Sequence, residues 1–194
     1  MKIKTFITLV LVVVIIFIIY ILNVDNKIYY VNIGSNIKYN KIIKNKLNNN
    51  KELEKYTNYQ INDYRITDLI NDINDNKIIN DNQTLQNALI KADILTLKIG
   101  DDELKYKAKE KNINDMFEYC DELITDLDNL FQLLRLYDKE KIYFIALNNN
   151  DSEYYDEIYD YLNIKIKSLC SNYNIILIND KNDDRIANKI IKNK

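Results

Sequence analysis

Residues 92–104 read ADILTLKIGDDEL. The run from Asp93 to Ile99 is largely apolar from Ile94 on, interrupted by Thr96 and Lys98, and predicts a near-continuous apolar strand of a parallel sheet. It stops at Gly100. Asp101, Asp102 and Glu103 follow and suit the positive end of a helix dipole, so a helix is expected over Asp102–Lys109. The same order of events occurs earlier, where residues 27–35 read KIYYVNIGS. A strand over Lys27–Ile33 ends at Gly34. The 194-residue chain has 2 glycines, Gly34 and Gly100. A chain so poor in glycine keeps them where backbone geometry requires them. Both stand at the carboxyl end of a strand, the edge at which open α/β sheets bind ligands.

Outward from these two points, strand and helix patterns alternate. Tyr39–Tyr56 is polar, with a weak helical stretch and an asparagine loop at Asn48–Asn50. Tyr56–Gln60 reads as a short strand. Arg65–Asn74 is helical, with Ile66, Leu69, Ile70 and Ile73 at helix spacing. Thr84–Lys91 is a second helix. The strongest helix is Ile113–Tyr137, where Met116, Cys120, Leu123, Leu127, Leu130 and Leu134 form one seam. Phe117, Ile124 and Phe131 widen that seam beyond a coiled-coil stripe, so it is expected to pack on a sheet. Strands at Lys141–Leu147 and Asn174–Ile178 enclose a helix over Glu153–Ser171, and a last helix covers Asp184–Lys192. Strand–helix repetition with right-handed crossovers implies an α/β fold, a three-layer αβα sandwich around a parallel sheet. There is no proline, so turns depend on Asn and Asp, which tolerate left-handed backbone.

Thr5–Leu22 contains no charge and follows Lys2 and Lys4. Eighteen helical residues span roughly 27 Å, close to the hydrocarbon core of a bilayer. No small-residue cleavage site follows, which favours an uncleaved anchor over a signal peptide. The flanking lysines place the N-terminus in the cytoplasm and the rest outside the cell membrane. The expected organisation is an anchor over 1–22, a tether over 23–26 and one domain over 27–194. The charge balance is 27 basic against 29 acidic residues, net −2, with no basic patch interleaved with aromatics. That pattern excludes a nucleic-acid reader. Histidine is absent, which removes the commonest general base and the commonest metal ligand. Cys120 and Cys170 lie on apolar seams and read as small buried hydrophobes, although a disulfide is chemically open outside the cytoplasm.

The ordered pieces KIYYVNIGS, YRITDLI, ADILTLKIGDDEL, FIALNNN and IANKIIK resemble the SGNH (GDSL-type) hydrolases over about residues 27–192. The resemblance implies a flavodoxin-like αβα sandwich and esterase or lipase ancestry, including enzymes of acylated sugars. It also implies where the chemistry should sit. That family's Gly-Asp-Ser becomes Gly34-Ser35-Asn36, so Asn36 falls on the nucleophile position and Ser35 beside it. Its Gly-x-Asn-Asp becomes Gly100-Asp101-Asp102-Glu103, so Asp102 replaces the asparagine that donates to the oxyanion. Asn62-Asp63 stands near the second oxyanion donor. The final Asp-x-x-His block is shortened after Asp180 and holds no histidine.

An amide is not a nucleophile, and an ionised Asp102 only accepts hydrogen bonds. Losing one oxyanion donor costs about 10²–10³ in turnover, and losing the serine or histidine of a triad about 10⁶. The expectation is a membrane-anchored, extracytoplasmic domain without hydrolase activity. It would have a binding or accessory role toward an envelope glycan or protein, a cleft formed by Gly34, Ser35, Asn36, Gly100 and Asp102, and neither cofactor nor metal. The alternative is an active esterase using Ser35 as a displaced nucleophile, with Asp102 or Asp180 as its base. Three further readings concern single groups. Asp101, Asp102 and Glu103 could hold a divalent cation, but the acidic helix start accounts for them. Arg65 could clamp an anion, but Asp68 is its expected partner. Tyr154, Tyr155, Tyr159 and Tyr161 lie around one helix and are expected to serve packing.

Overall fold

The strands buried on both faces occupy the interior of the sheet, and the most polar strand forms one of its edges. The computed structural model describes residues 10–14, 27–34, 38–60, 63–80, 82–108, 112–137, 141–148 and 156–194. In chain order the strands are β1 (Ile28–Gly34), β2 (Leu53–Tyr59), β3 (Ile78–Asn80), β4 (Gln83–Thr84), β5 (Ile94–Lys98), β6 (Ile142–Ile145) and β7 (Ile176–Ile178). The helices are α1 (Lys38–Asn49), α2 (Ile66–Asn74), α3 (Leu85–Lys91), α4 (Asp101–Ala108), α5 (Ile113–Arg135), α6 (Asp156–Asn172) and α7 (Asp183–Lys192). Five strands form one sheet in the order β2-β1-β5-β6-β7, every neighbouring pair parallel. β1, β5 and β6 are buried almost throughout, whereas edge strand β2 carries exposed Glu54 and Lys55. Charges on an open edge oppose pairing with another chain.

Each face of the sheet has its own core. On one face Val31, Ile33, Leu95, Leu97, Ile142 and Phe144 meet the predicted α5 seam, of which Met116, Cys120, Leu123, Leu127, Leu130 and Leu134 are all buried. α2, α3 and α6 complete that layer. On the other face Tyr30, Ile94, Tyr143, Ile145 and Ile178 are covered by Tyr39, Ile43 and Leu47 of α1 and by Ile186, Ala187 and Ile190 of α7. The result is the expected three-layer αβα sandwich. Cys120 and Cys170 are free and buried, and burial raises their thiol pKa values to about 11 and about 12.

Three differences from the sequence expectation have local causes. The weak helical stretch expected within Tyr39–Tyr56 is a full 12-residue helix over Lys38–Asn49. Its buried stripe is Tyr39, Asn40, Ile43 and Leu47, and two of those four residues are polar enough to hide the pattern. β2 starts at Leu53, three residues before the expected Tyr56, because its ladder with β1 extends over Glu54 and Lys55. The β3–β4 hairpin was not expected. Its Gln83 is buried and donates to the Tyr29 hydroxyl, so tertiary hydrogen bonding rather than hydropathy holds it there. Asp63, Asn76 and Asn174 adopt left-handed backbone in turns, as the lack of proline implied.

The anchor expected over 1–22 lies largely outside the described residues, as does the tether over 23–26. Residues 10–14 are helical and expose their Val and Leu side chains. Among the described residues, no helix is long and apolar enough to cross a membrane.

A buried polar chain ties three strands to α1. Asn32 donates to Asn58 (2.7 Å), and Thr96 donates to Asn32 (2.9 Å). Tyr30 contacts both Thr96 (2.9 Å) and Asn40. Thr96 has only one proton, so Tyr30 must supply the hydrogen between them. Turning the Asn40 amide so that its nitrogen donates to Tyr30 gives every contact in the chain a hydrogen. It also removes the orphan donor otherwise left at Asn40 Nδ2.

Candidate functional site

The sheet order reverses between β1 and β5, which makes their carboxyl ends the topological switch point. The two glycines are required there for different reasons. Gly34 ends β1 opposite Lys98 of β5, at φ +114. A Cβ at this position would stand 1.9 Å from the Lys98 carbonyl oxygen. Gly100 has φ +107 and turns the chain from β5 into α4, and its Cβ would meet Leu147 Cδ1 at 3.3 Å. Both lie where the sequence placed them. Ser35 and Asn36 lie outside the described residues.

The turn at Gly100 sends three consecutive carboxylates to three different places. Asp101 is buried and pairs with Lys98 at 3.2 Å, and it accepts from the Asn148 backbone N–H, also at 3.2 Å. Burial raises its pKa, against the opposing pull of Lys98. Asp102 faces a groove. Glu103 accepts from the Ile66 backbone N–H (3.3 Å) and from the Tyr119 hydroxyl (2.9 Å), so it fixes the start of α2 against α5. With their partners so divided, the three do not converge. Among the described residues, no group of three or more His, Cys, Asp or Glu is placed to hold a metal.

The groove beside Asp102 measures ≈ 700 Å³ and runs between the segment after β2, the first turns of α4, and α5. Five carboxylates line it, from Asp63, Asp102, Glu103, Glu122 and Asp126, together with Tyr106 and Tyr119. Burial and then the charge of Glu122 raise the pKa of Asp126. Arg65 lies on the rim, paired with Asp68 through two guanidinium hydrogen bonds of 3.1 Å. This is the partner expected from sequence. Lys107 sits 5.6 Å from the Tyr119 ring centroid. The groove therefore offers acceptors and aromatic edges in excess over donors. It can hold hydroxyl or ammonium groups and disfavours an oxyanion.

A second hollow of ≈ 220 Å³ lies at the ends of β5, β6 and β7. Lys38, Tyr39, Lys98, Asn148, Asp180, Lys181, Asp183 and Ile186 line it. Asp180, a possible base by position, accepts from the Asn182 backbone N–H and from Arg185 and Lys189, each at 3.0 Å. The backbone hydrogen bond, followed by Lys189, holds its pKa below the ordinary range. Asp183 stands three residues on, at the first position of α7. The sequence reading did not single out Tyr39, Lys98, Asn148 or Lys181. Their only sequence signal is that each stands within a few residues of a strand's carboxyl end.

The tyrosines of α6 behave as packing residues. Tyr159 is buried, and Tyr161 stacks edge-on against Phe117 with ring centroids 5.1 Å apart. Tyr154 and Tyr155 lie outside the described residues.

No protein-family model and no curated protein matches the chain by sequence. Solved structures match it closely in shape. The acetyl xylan esterase AlAXEase aligns with TM-score 0.58 at 16% identity, covering 84% of this chain and 82% of that one. The lipase Lip_vut3 from a goat rumen metagenome aligns with TM-score 0.62 at 16% identity, over 77% and 79% of the two chains. Axe2, an acetylxylan esterase from Geobacillus stearothermophilus, gives TM-score 0.60 at 15% identity, over 85% and 80%. Identities this low speak to architecture alone, and the architecture agrees with the motif order read from the sequence. The chain has the fold of the SGNH/GDSL-type esterases.

Proposed function

We propose that this protein is a membrane-anchored, extracytoplasmic binding domain built on an esterase fold, without acyl-hydrolase turnover. One observation carries the reading. The chain has no histidine, and Asp180, the carboxylate after which the family's final block is shortened, is already committed to Arg185, Lys189 and a backbone N–H. A carboxylate whose pKa is held low is a poor acceptor for a serine proton. The groove adds to this. A tetrahedral acyl intermediate needs donors around its oxygen, and Asp102 presents an acceptor among four other carboxylates.

The same groove suits an envelope glycan. Sugar hydroxyls donate to carboxylates, and the exposed ring of Tyr106 offers a surface for a sugar to rest on. The acetyl xylan esterases of the same fold act on a carbohydrate substrate, which supports a saccharide ligand. The apolar run Thr5–Leu22 supports the anchor, as do the exposed side chains of Val10–Val14. The alternative, turnover from Ser35 with Asp102 or Asp180 as base, draws on the esterase neighbours.

The test is ligand-linked stability of the full chain in detergent micelles. Soluble envelope oligosaccharides are titrated during thermal unfolding, and Asp102→Ala and Tyr106→Ala are compared with the parent. A binder gains about 2.7 kcal/mol at a ligand concentration of 100 Kd. Stabilisation that both variants weaken supports the reading. No stabilisation by any glycan, or ester turnover lost on Ser35→Ala, overturns it.

A further inference from the structure

Beside the smaller hollow, not the acidic groove, lies a buried donor with nothing to donate to. Tyr39 is 2% exposed and lines the hollow, and its hydroxyl has no hydrogen-bond partner among the described residues. Burial, followed by the charges of Asp183, Tyr56 and Asp101, holds its pKa well above the ordinary phenol range, so the group stays a donor. A buried O–H without an acceptor is unfavourable, a cost that an arriving acceptor removes.

The surrounding groups say which acceptor fits. Lys38, Lys98 and Lys181 line the same ≈ 220 Å³ space. Lys98 is paired with Asp101, whereas the Lys38 and Lys181 ammonium groups have no partner among the described residues. Of the carboxylates present, Asp101 is answered by Lys98, and Asp180 by Arg185 and Lys189. Asp183 is the remaining acid, at the first position of α7. The first turn of α1, which supplies Lys38 and Tyr39, contains no acidic residue. Its dipole therefore adds to the positive field.

We propose that this hollow is a binding site for a small oxyanion of the phosphate type, free or as a monoester, held by Lys38, Lys181, Lys98 and the Tyr39 hydroxyl. The site is separate from the acidic groove and does not depend on what that groove binds. It takes the opposite charge, from residues the groove does not share.

The experiment uses the full chain in detergent micelles. Inorganic phosphate and methyl phosphate are each titrated during thermal unfolding, against sodium chloride of matched ionic strength. Lys181→Glu and Tyr39→Phe are the variants, and Lys181 is exposed, so its replacement leaves the core intact. Phosphate or its monoester should raise the melting temperature saturably beyond chloride. Lys181→Glu should weaken that effect at least tenfold. Tyr39→Phe should raise the melting temperature without phosphate, because the orphan hydroxyl is gone, and weaken phosphate binding about tenfold. The proposal is overturned if phosphate acts no differently from chloride or if Lys181→Glu keeps full affinity. It is equally overturned if Tyr39→Phe lowers the melting temperature of the unliganded protein, or if calcium stabilises the parent through this site where phosphate does not.

Discussion

Replacing Gly34 by alanine should be far more damaging than replacing Gly100, although both have positive φ near the same edge. At Gly34 the new Cβ would stand 1.9 Å from the Lys98 carbonyl oxygen and 2.6 Å from its carbon. Those are backbone atoms of the paired strand, so no side-chain rotation relieves the overlap. β1 and β5 must separate at the last rung of their ladder, Gly34 opposite Lys98. Backbone strain at positive φ costs about 1–3 kcal/mol, and each ladder hydrogen bond lost adds about 1 kcal/mol. With the packing displaced around them, a loss of about 4 kcal/mol or more is expected, a large part of a typical 5–15 kcal/mol. In a domain of this size that corresponds to a fall of about 8–16 °C in Tm. At Gly100 the nearest atoms are the side-chain carbons Leu147 Cδ1 (3.3 Å) and Leu123 Cδ2 (3.7 Å), which can turn aside. The loss there should be only the strain, about 1–3 kcal/mol. Thermal and urea unfolding followed by circular dichroism would measure both. A Gly34→Ala protein as stable as the parent, or more stable than Gly100→Ala, would refute the strand-contact argument.

Three other expectations concern different parts of the molecule. Asp72 accepts from Lys77, Tyr59 and Tyr64; burial raises its pKa, but these hydrogen bonds outweigh burial and leave it below the ordinary range. Its stabilisation is therefore present above the unfolded pKa of about 4 and is lost as pH falls through the folded value. Asp72→Asn should cost about 1–3 kcal/mol at pH 7 and show a shallower loss of stability on acidification, as read by urea titrations from pH 7 to pH 3. Cys120 and Cys170, buried with raised pKa values, should resist a thiol reagent in the native protein and both react in denaturant; a disulfide would yield no thiols after unfolding. N-terminal sequencing of protein from membranes should begin at or beside Met1, and a start near Asn23 would remove the anchor.

The parts of the fold legible in the sequence were those whose burial is written in apolar side chains. β1, β5 and the α5 seam are mostly apolar, interrupted only by residues such as Asn32 and Thr96, and glycines mark where the two strands stop. α1 was harder to see because its buried face includes Tyr39 and Asn40, held by a tertiary hydrogen bond to Tyr30 and by packing on α7. The hairpin was hidden because its contribution is a buried glutamine that bonds residues more than 25 positions away. The candidate site divides in the same way. The glycine hinges and Asp102 follow from local sequence, and so does the Arg65–Asp68 pair. The hollow of Lys38, Tyr39, Lys98 and Lys181 exists only because four strand ends meet, and no local pattern records that meeting.

The central claim, an esterase fold without esterase chemistry, is tested most directly by offering the full chain an activated short-chain ester, an acetylated xylan and a fluorophosphonate probe, alongside Ser35→Ala. The account predicts turnover indistinguishable from buffer and no labelled protein in either sample. Turnover or labelling present in the parent and lost in Ser35→Ala would contradict it.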